Sequence, residues 1–241
     1  MLWQEIHQNH AYEVDGVSPV YMNLFDRSVA EMERNYSIME VGAGTGRNIL
    51  YARQRTQNQG DFLATDVSSS AVDEMVAKGV EAFQADMREC PVESGRITHA
   101  ISWRAIHHLP ETGRSEAVDE LRRVIRPGGQ LIMAARSFND WSFGIGTQTE
   151  KGSYVVLDQS ELPPGMVFFP KTEYHAWHFF APQELRSLLE KGGFDIQVLD
   201  AMSEQAGIPT WYKGENAYWV IKAEREKREL LWRGYSFNSS L

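Results

Sequence analysis

A glycine-rich loop directly after an apolar strand constrains this chain more than any other feature. Residues 38–46 read Ile-Met-Glu-Val-Gly-Ala-Gly-Thr-Gly, so a short β-like run leads into three glycines at alternate positions. Because Gly42, Gly44 and Gly46 have no Cβ atom, the backbone can turn tightly and approach a ligand closely. Residues 47–53 are helix-like, and the N-terminus of such a helix points back at the loop. The pattern predicts a binding site for a small-molecule cofactor.

Beyond the loop, β-like runs alternate with helix-like runs, which is typical of a parallel sheet with helices on both faces. We predict strands at 37–41, 62–66, 80–84, 97–103, 129–135, 194–200 and 216–223. We predict helices at 46–55, 69–78, 112–125 and 182–191. The last two helices are expected to end at Arg-Pro-Gly-Gly (126–129) and at Gly192-Gly193, because proline cannot continue a helix and glycine permits a reversal.

The 241 residues suit one α/β domain with five regions. Residues 1–36 are rich in aromatic residues and are expected to form a helical cover over the sheet edge or the cofactor. Residues 37–135 form the cofactor-binding core. Residues 136–180 break the alternation, and we expect a substrate lid there, because long loops in compact domains are usually functional. The last helix and strands occupy 181–223, followed by a charged, helix-like tail at 224–241 with a frayed end.

Composition excludes several function classes. The formal net charge is −9 and the basic residues are dispersed, which argues against a nucleic-acid surface. No apolar run approaches the roughly 18 residues of a membrane span, and no signal-peptide pattern is visible, so a cytoplasmic location is expected. Cys90 is the only cysteine, which excludes an internal disulfide and a thiolate metal cluster, and we expect it to be a buried apolar residue. We expect no nucleic-acid partner, no membrane partner and no metal.

Polar residues stand at the ends of the first four predicted strands. In a doubly wound sheet, ligands bind beyond the carboxyl ends of the strands, so these residues are the first candidates for a site. Glu40 ends the first strand, and Asp66 ends the second about 20 residues after the last glycine, where a carboxylate can accept hydrogen bonds from a ribose diol. Asp86 follows the third strand, and the fourth leads into the run Trp-Arg-Ala-Ile-His-His-Leu at residues 103–109.

Five ordered motifs resemble those of class I S-adenosylmethionine-dependent methyltransferases. They lie at 40–46, 64–67, 85–87, 101–109 and 126–129. The resemblance covers roughly the region from the first to the last predicted strand and is nearest to the tellurite-resistance-like branch and its small-molecule relatives. It implies a Rossmann-like, doubly wound, seven-stranded and mostly parallel sheet whose last strand is antiparallel.

The resemblance implies S-adenosylmethionine as the cofactor. The glycine loop would pass under its methionine part, Asp66 would hold the ribose hydroxyls, and the backbone near Trp103 would meet the amino group. Asp86 would accept a hydrogen bond from the adenine amino group, with Met87 against the ring. The expected cofactor-binding residues are Glu40, Gly42, Ala43, Gly44, Gly46, Asp66, Val67, Asp86, Met87 and Trp103.

Other interpretations of these residues stay open. Glu40 could hold the loop amides instead of the ligand, and Asp66 could cap the following helix. The chain could also bind S-adenosylmethionine without transferring its methyl group. A nicotinamide-dependent oxidoreductase is disfavoured, because the spacing is Gly-x-Gly-x-Gly and not Gly-x-Gly-x-x-Gly, and because acidic side chains repel a pyrophosphate but tolerate a sulfonium.

Methyl transfer requires alignment, desolvation and, for a protonated acceptor, a base. The candidate catalytic residues are His107, His108, His175 and His178, although any of them could instead pack or bond the backbone. His175 and His178 are three residues apart and could share a helical face that binds a metal, but no third ligand is evident.

Aromatic residues are dense in and after the expected lid. Trp141, Phe143, Tyr154, Trp177 and Trp211 are candidates to line a pocket for an apolar or cationic small molecule, or else to pack the lid onto the sheet. The fourth strand lacks the Asn/Asp-Pro-Pro-aromatic motif of adenine and glutamine methylation. The sequence therefore predicts methyl transfer to a small-molecule acceptor, with the acceptor atom (O, N or S) and the oligomeric state open.

Overall fold

The computed structural model describes residues 17–29, 36–156, 175–204 and 216–227. The helices are α1 (Pro19–Val29), α2 (Arg47–Arg55), α3 (Ser69–Ala77), α4 (Glu111–Val124) and α5 (Pro182–Lys191), with one 3₁₀ helix (Ile106–His108). The strands are β1 (Ser37–Val41), β2 (Asp61–Asp66), β3 (Glu81–Gln84), β4 (Ile97–Trp103), β5 (Ile125–Arg136), β6 (Thr147–Glu150), β7 (Ser153–Val156), β8 (His175–His178), β9 (Phe194–Glu204) and β10 (Asn216–Arg225).

The main sheet has seven strands in the order β3-β2-β1-β4-β5-β10-β9. Neighbouring strands are parallel except at β10, which runs antiparallel to β5 and β9. The predicted mostly parallel sheet with an antiparallel last strand is therefore confirmed. The order reverses between β1 and β4, and ligands bind at such a switch point. The carboxyl ends of β1 to β5 and the start of β10 share this edge.

The sheet is covered on both faces, as the alternation of elements predicts. Every residue of β1 and β4 is buried, as expected for central parallel strands. Alternate side chains of β1 point to opposite faces. Met39 and Val41 join an apolar cluster with residues of α4 and α5, whereas Ile38 joins a second cluster with residues of α1, α2 and α3. Cys90 is buried in the first cluster, which confirms its expected role.

Three element boundaries differ from the sequence predictions by two residues or more, and one of them is the end of β9, which lies at Glu204 and not at residue 200. Residues 126–129 do not form a loop after α4, because β5 begins at Ile125, directly after Val124. The register of β4 and β5 shifts between Ile97 and His99, so a bulge absorbs the Pro-Gly-Gly residues while the strand continues. β10 extends to Arg225. The prediction of a helix-like tail from residue 224 is therefore wrong for Glu224 and Arg225, which lie in a strand. The tail from residue 228 lies outside the described residues.

Part of the expected lid forms a second, three-stranded antiparallel sheet in the order β6-β7-β8, and residues 157–174 lie outside the described ranges. His175 and His178 lie on β8, not on a helix. The shared helical face considered for these two residues is therefore wrong. Of the expected N-terminal helical cover, the structure describes α1, which packs on α2.

None of the described helices combines the length and the apolar character that crossing a membrane requires.

Candidate cofactor and acceptor site

The glycine loop between β1 and α2 needs its glycines for their backbone conformation. Gly42, Gly44 and Gly46 have φ values of 64°, 56° and 79°, in the left-handed region that disfavours residues with a side chain. The loop folds across the end of β2, because the Ala43 N–H donates to the carbonyl of Thr65 at 3.0 Å. The tight turn predicted from the glycine spacing is therefore present.

Gly42→Ala should destabilise the fold strongly. A Cβ atom on Gly42 would lie 2.5 Å from the Cβ of Ala105, and the left-handed backbone adds strain. We expect the free energy of unfolding to fall by about 2–4 kcal/mol in chemical denaturation. Gly144→Ala is the matched control, because Gly144 is also left-handed (φ 83°) but has open space around it. Equal losses in the two variants would contradict the steric argument.

Glu40 holds the junction between the glycine loop and α2. Its buried carboxylate accepts a hydrogen bond from the Asn48 side-chain amide at 2.7 Å and from the Ile49 backbone N–H at 2.9 Å. The first N–H groups of a helix have no intrahelical partner, and Gly46, the N-cap of α2, has no side chain to offer. Glu40 therefore supplies the cap, which is the structural role that the sequence left open.

Burial raises the pKa of Glu40 from 4.5 to about 7, against the lowering effect of its hydrogen bonds and of Arg47. The folded pKa lies above the unfolded one, so this residue stabilises the fold fully below about pH 4.5, and that contribution is lost as the pH rises through 7. We expect the free energy of unfolding to fall more steeply between pH 5 and pH 8 in the wild type than in Glu40→Gln, by up to about 3 kcal/mol. Denaturation curves at four pH values test this, and parallel pH dependences would refute it.

Asp66 binds the glycine loop and keeps acceptor sites for a ligand. Its Oδ2 accepts the Gly44 N–H at 2.8 Å and its Oδ1 accepts the Ser68 N–H at 2.9 Å. The cap of α3 is the Ser68 hydroxyl, which accepts the Ala71 N–H, so the alternative of Asp66 as the cap is wrong. A carboxylate offers about four acceptor sites, and two are used here. The remaining two match the two hydroxyls of a ribose.

Asp86 forms a two-pronged ion pair with Arg88. Arg88 Nε donates to Oδ1 at 2.8 Å and Nη2 to Oδ2 at 2.7 Å, and the Arg88 backbone N–H adds a third bond. The hydrogen bonds from Arg88 lower the pKa of Asp86, so this carboxyl is charged at neutral pH. One of its roughly four acceptor sites remains, which suits a single amino group.

The other expected cofactor residues divide between core and surface. The side chain of Met87 is buried in the apolar core, and that of Trp103 packs edge-on against Tyr21 of α1 with ring centroids 5.3 Å apart. Val67 is 44% exposed, and its carbonyl accepts from Gln84. The structure thus joins Asp66 to the glycine loop and Glu40 to the start of α2. Asp86 follows β3, which pairs with β2, and Trp103 ends β4, which pairs with β1.

The histidines predicted as catalytic candidates lie beyond β4 and on β8. His107 and His108 are on the 3₁₀ helix with ring centroids 4.2 Å apart, and His107 is buried. The side chain of His175 lies outside the description. In the described ranges, no group of three or more His, Cys, Asp or Glu side chains is arranged to hold a metal ion.

His178 is a buried connector between the second sheet and α5. Its Nδ1 lies 2.8 Å from Ser153 Oγ on β7, and its Nε2 lies 2.7 Å from Glu184 Oε1 on α5. The Ser153 hydroxyl donates to Glu150 Oε1, which also accepts from Arg114 of α4 at 2.8 Å. Both ring nitrogens of His178 are engaged in this network, which fastens the second sheet to the helices.

The aromatic residues predicted to line a pocket contact one another and an arginine. Phe143, Tyr154 and Phe179 pack edge-on with centroids 5.3–5.9 Å apart. The guanidinium of Arg136 lies 4.7 Å from the ring centroid of buried Trp177. Trp141 is half-buried, and Trp211 lies outside the described residues.

Sequence reasoning missed four residues at this edge. Arg104, the first residue after β4, has a left-handed φ of 63°, and its guanidinium lies 4.3 Å from the ring centroid of Tyr218. Arg136, the last residue of β5, donates to Asp140 at 3.0 Å. Arg104 and Arg136 directly follow predicted strands, and this was the available signal for these two, since the acidic residues were found by the same rule.

Comparisons with known proteins agree with this geometry. Residues 38–129 match the family model described as methyltransferase domain. The chain is 27% identical over 119 residues to a mouse protein named tRNA (carboxymethyluridine(34)-5-O)-methyltransferase ALKBH8, and the matched region covers 49% of this chain and 16% of that protein. It spans only 16–29% of the lengths of three curated relatives that it matches.

Two solved structures share the fold. An S-adenosylmethionine-dependent methyltransferase from Methanosarcina mazei has a TM-score of 0.66 at 17% identity, covering 89% of this chain and 100% of that one. The 1,6-didemethyltoxoflavin-N1-methyltransferase of Burkholderia thailandensis has a TM-score of 0.60 at 15% identity, covering 92% and 84%. These matches do not single out the tellurite-resistance-like branch. They agree with the ordered motifs and with the matched domain, so residues 38–129 form a methyltransferase domain with the fold of S-adenosylmethionine-dependent methyltransferases.

Proposed function

We propose that this chain transfers the methyl group of S-adenosylmethionine to a small-molecule acceptor. When bound, the cofactor supplies an electrophilic methyl group, whose bond to sulfur breaks as a lone pair of the acceptor forms the new bond, leaving S-adenosylhomocysteine. The protein contributes alignment and exclusion of water. A proton released by the acceptor passes to a base or to solvent.

The observation that carries this proposal is the set of carboxylates at the ends of β1, β2 and β3 around a left-handed glycine loop. Asp66 has acceptor sites for a diol and Asp86 has one for an amino group, so the donors of an adenosine fit them. The carboxylates of Asp66 and Asp86 favour a sulfonium and an ammonium over a phosphate. These acids account for a cationic cofactor better than for a dinucleotide.

The small-molecule acceptor is supported by charge and by one structural neighbour. The net charge of −9 disfavours a polyanion as large as tRNA. The Burkholderia enzyme is named for the methylation of a small heterocycle. RNA is the second candidate acceptor, because ALKBH8 is named as a tRNA methyltransferase. The experiment below therefore includes RNA as a separate arm.

We assign residues 136–180 as the lid over the acceptor. The segment begins and ends beside the sheet edge, because the Phe180 N–H donates to the Arg136 carbonyl at 2.9 Å and Ser137 forms a β-bridge with Phe180. Strand β8 also contacts the 3₁₀ helix that follows β4. These contacts support a position beside the histidines and the end of β5.

Trp141→Ala and Trp177→Ala test the aromatic pocket. Trp177 covers the Arg136 guanidinium, so its loss should release that side chain and raise the KM for the acceptor about 10-fold. Trp141→Ala should raise the same KM to a smaller extent. Steady-state kinetics with an acceptor identified from a metabolite extract measures the KM of both variants. An unchanged KM and kcat in both variants would remove the pocket from the proposal.

Calorimetry and label transfer test the function itself. S-adenosylhomocysteine should bind tightly and NADH should not bind. Incubation with methyl-labelled S-adenosylmethionine and a metabolite extract should then yield a labelled small product, and incubation with purified tRNA should not. Absence of S-adenosylhomocysteine binding would refute the cofactor assignment. Tight binding without label transfer to any extract would instead favour a protein that binds the cofactor without methylating.

A further inference from the structure

The carboxyl edge of the main sheet is divided by charge. The half formed by β1, β2 and β3 presents the carboxylates described above, whereas Arg104 directly follows β4 and Arg136 ends β5. The two halves meet without a gap, because β1 pairs with β4 and β4 pairs with β5. The acidic half suits a cationic cofactor, so the basic half adjoins the place where the acceptor must approach it.

Arg104 is held in an unusual backbone conformation. Its φ of 63° is rare for a residue with a long side chain, and its N–H donates to the Ala134 carbonyl at 2.9 Å. This turn leaves the guanidinium 4.3 Å from the ring centroid of Tyr218, at the start of β10. Backbone strain of this kind is concentrated at functional sites.

Arg136 lies on the neighbouring strand, directly opposite Tyr218 in the β5–β10 register, with its guanidinium 5.8 Å from the Tyr218 centroid. Its Nη1 donates to Asp140 Oδ1 at 3.0 Å and to Ser142 Oγ at 2.7 Å. The Asp140 carboxylate, which pairs with Arg136, also accepts hydrogen bonds from the backbone N–H groups of Ser142 and Ala217. The two guanidinium groups therefore lie within 6 Å of one buried ring.

We propose that the acceptor is a small molecule with an oxyanion group, a carboxylate or a phosphate, that Arg104 binds beside Arg136. This inference rests on the methyl transfer proposed above and narrows its substrate class. The planar guanidinium fork matches the oxygens of either group. Arg104 lies in the basic half, next to the proposed position of the cationic cofactor, and these two cations attract an anion locally. This proposal replaces the apolar or cationic acceptor expected from the aromatic residues, because the guanidinium of Arg136 already lies over the Trp177 ring.

The first experiment tests the charge of the acceptor. A metabolite extract below 3 kDa is separated on an anion exchanger at neutral pH before the reaction, and each fraction is incubated with the wild-type protein and labelled S-adenosylmethionine. The label should be incorporated from the retained fraction. Prior phosphatase treatment distinguishes a phosphate, which it removes, from a carboxylate. Incorporation from the unretained fraction, or only from RNA above 3 kDa, would overturn the inference.

The second experiment tests Arg104 with variants. With the retained fraction at a limiting acceptor concentration, Arg104→Met should lower the incorporation of labelled methyl by about 10- to 100-fold. Arg104→Lys should lower it less. The calorimetric Kd for S-adenosylhomocysteine should stay within about twofold, since the acidic half is untouched. The control is Arg55→Met, which removes an exposed arginine paired with Asp26. Equal incorporation by Arg104→Met and Arg55→Met would overturn the inference.

Arg104→Gly separates binding from folding. Glycine adopts the left-handed turn without strain, so this variant should unfold at the same or a higher denaturant concentration than the wild type, while it loses incorporation as Arg104→Met does. A loss of activity that tracks a loss of stability would mean a structural role and contradict the proposal. Absence of label from every fraction would refute the proposed function and this inference together, whereas label from the unretained fraction refutes this inference alone.

Discussion

Asp66→Ala should weaken the binding of S-adenosylhomocysteine by about 100-fold or more, because two hydrogen bonds to a charged acceptor are lost together. The same change releases the Gly44 N–H, which Asp66 holds at 2.8 Å, so the loop loses an anchor beneath the ligand. The effect should fall on binding more than on folding, since the fold keeps the Ser68 cap of α3. Isothermal titration calorimetry gives the Kd directly.

Two further variants make this expectation specific. Asp66→Asn keeps the shape and one acceptor oxygen, so its Kd should lie between those of the wild type and Asp66→Ala. Asp73→Ala removes an exposed carboxylate from α3 and should leave the Kd unchanged. Circular dichroism confirms that each variant is folded. A Kd for Asp66→Ala within threefold of the wild type would show that this carboxylate does not bind the ribose.

Asp140→Ala should be the most destabilising of the substitutions considered, with a loss of about 3–5 kcal/mol. The side chain of Asp140 is fully buried and accepts hydrogen bonds from Arg136, from Ser142 and from the Ala217 N–H. Its removal leaves a largely buried guanidinium without its carboxylate. It also separates β5, the start of the lid segment and β10, which Asp140 holds together. Thermal unfolding should show a midpoint lower by roughly 10 °C.

The chain contains a matched control for this result. Arg186 and Glu190 form an ion pair with the same i,i+4 spacing, but both side chains are about half exposed. Glu190→Ala should therefore change the stability by less than about 0.5 kcal/mol. Similar midpoints for Asp140→Ala and Glu190→Ala would show that the buried pair contributes no more than a surface pair.

Most of the main sheet was predictable because its strands are buried on both faces. β1 and β4 are short runs of buried residues bounded by turn signals, and their predicted ends agree with the structure. The start of β5 was not predictable in the same way. Pro-Gly-Gly indicates a loop, and only its pairing with β4 through a bulge reveals a strand. That information lies in another segment of the chain.

The acidic half of the site was predictable because each carboxylate directly follows or ends a strand beside the glycine loop. The basic half was not predictable, because arginine is not a residue type that favours the left-handed conformation observed at Arg104. Its partner Tyr218 lies more than 100 residues away along the chain, on an antiparallel strand. The aromatic residues were recognised from composition, but composition does not reveal that Arg136 lies over Trp177.

The bridge between Ser137 and Phe180 makes the segment between them, which we propose as the lid, a replaceable unit. Since its two ends meet beside β5, the chain between them can change in length or sequence without altering the spacing of β5 and α5. Acceptor preference can then diverge between relatives while the glycine loop and its carboxylates are retained. For protein engineering, grafting a lid from another methyltransferase between these two residues is the direct way to transfer substrate range, provided that a counterpart of Asp140 is kept to bind Arg136 and β10.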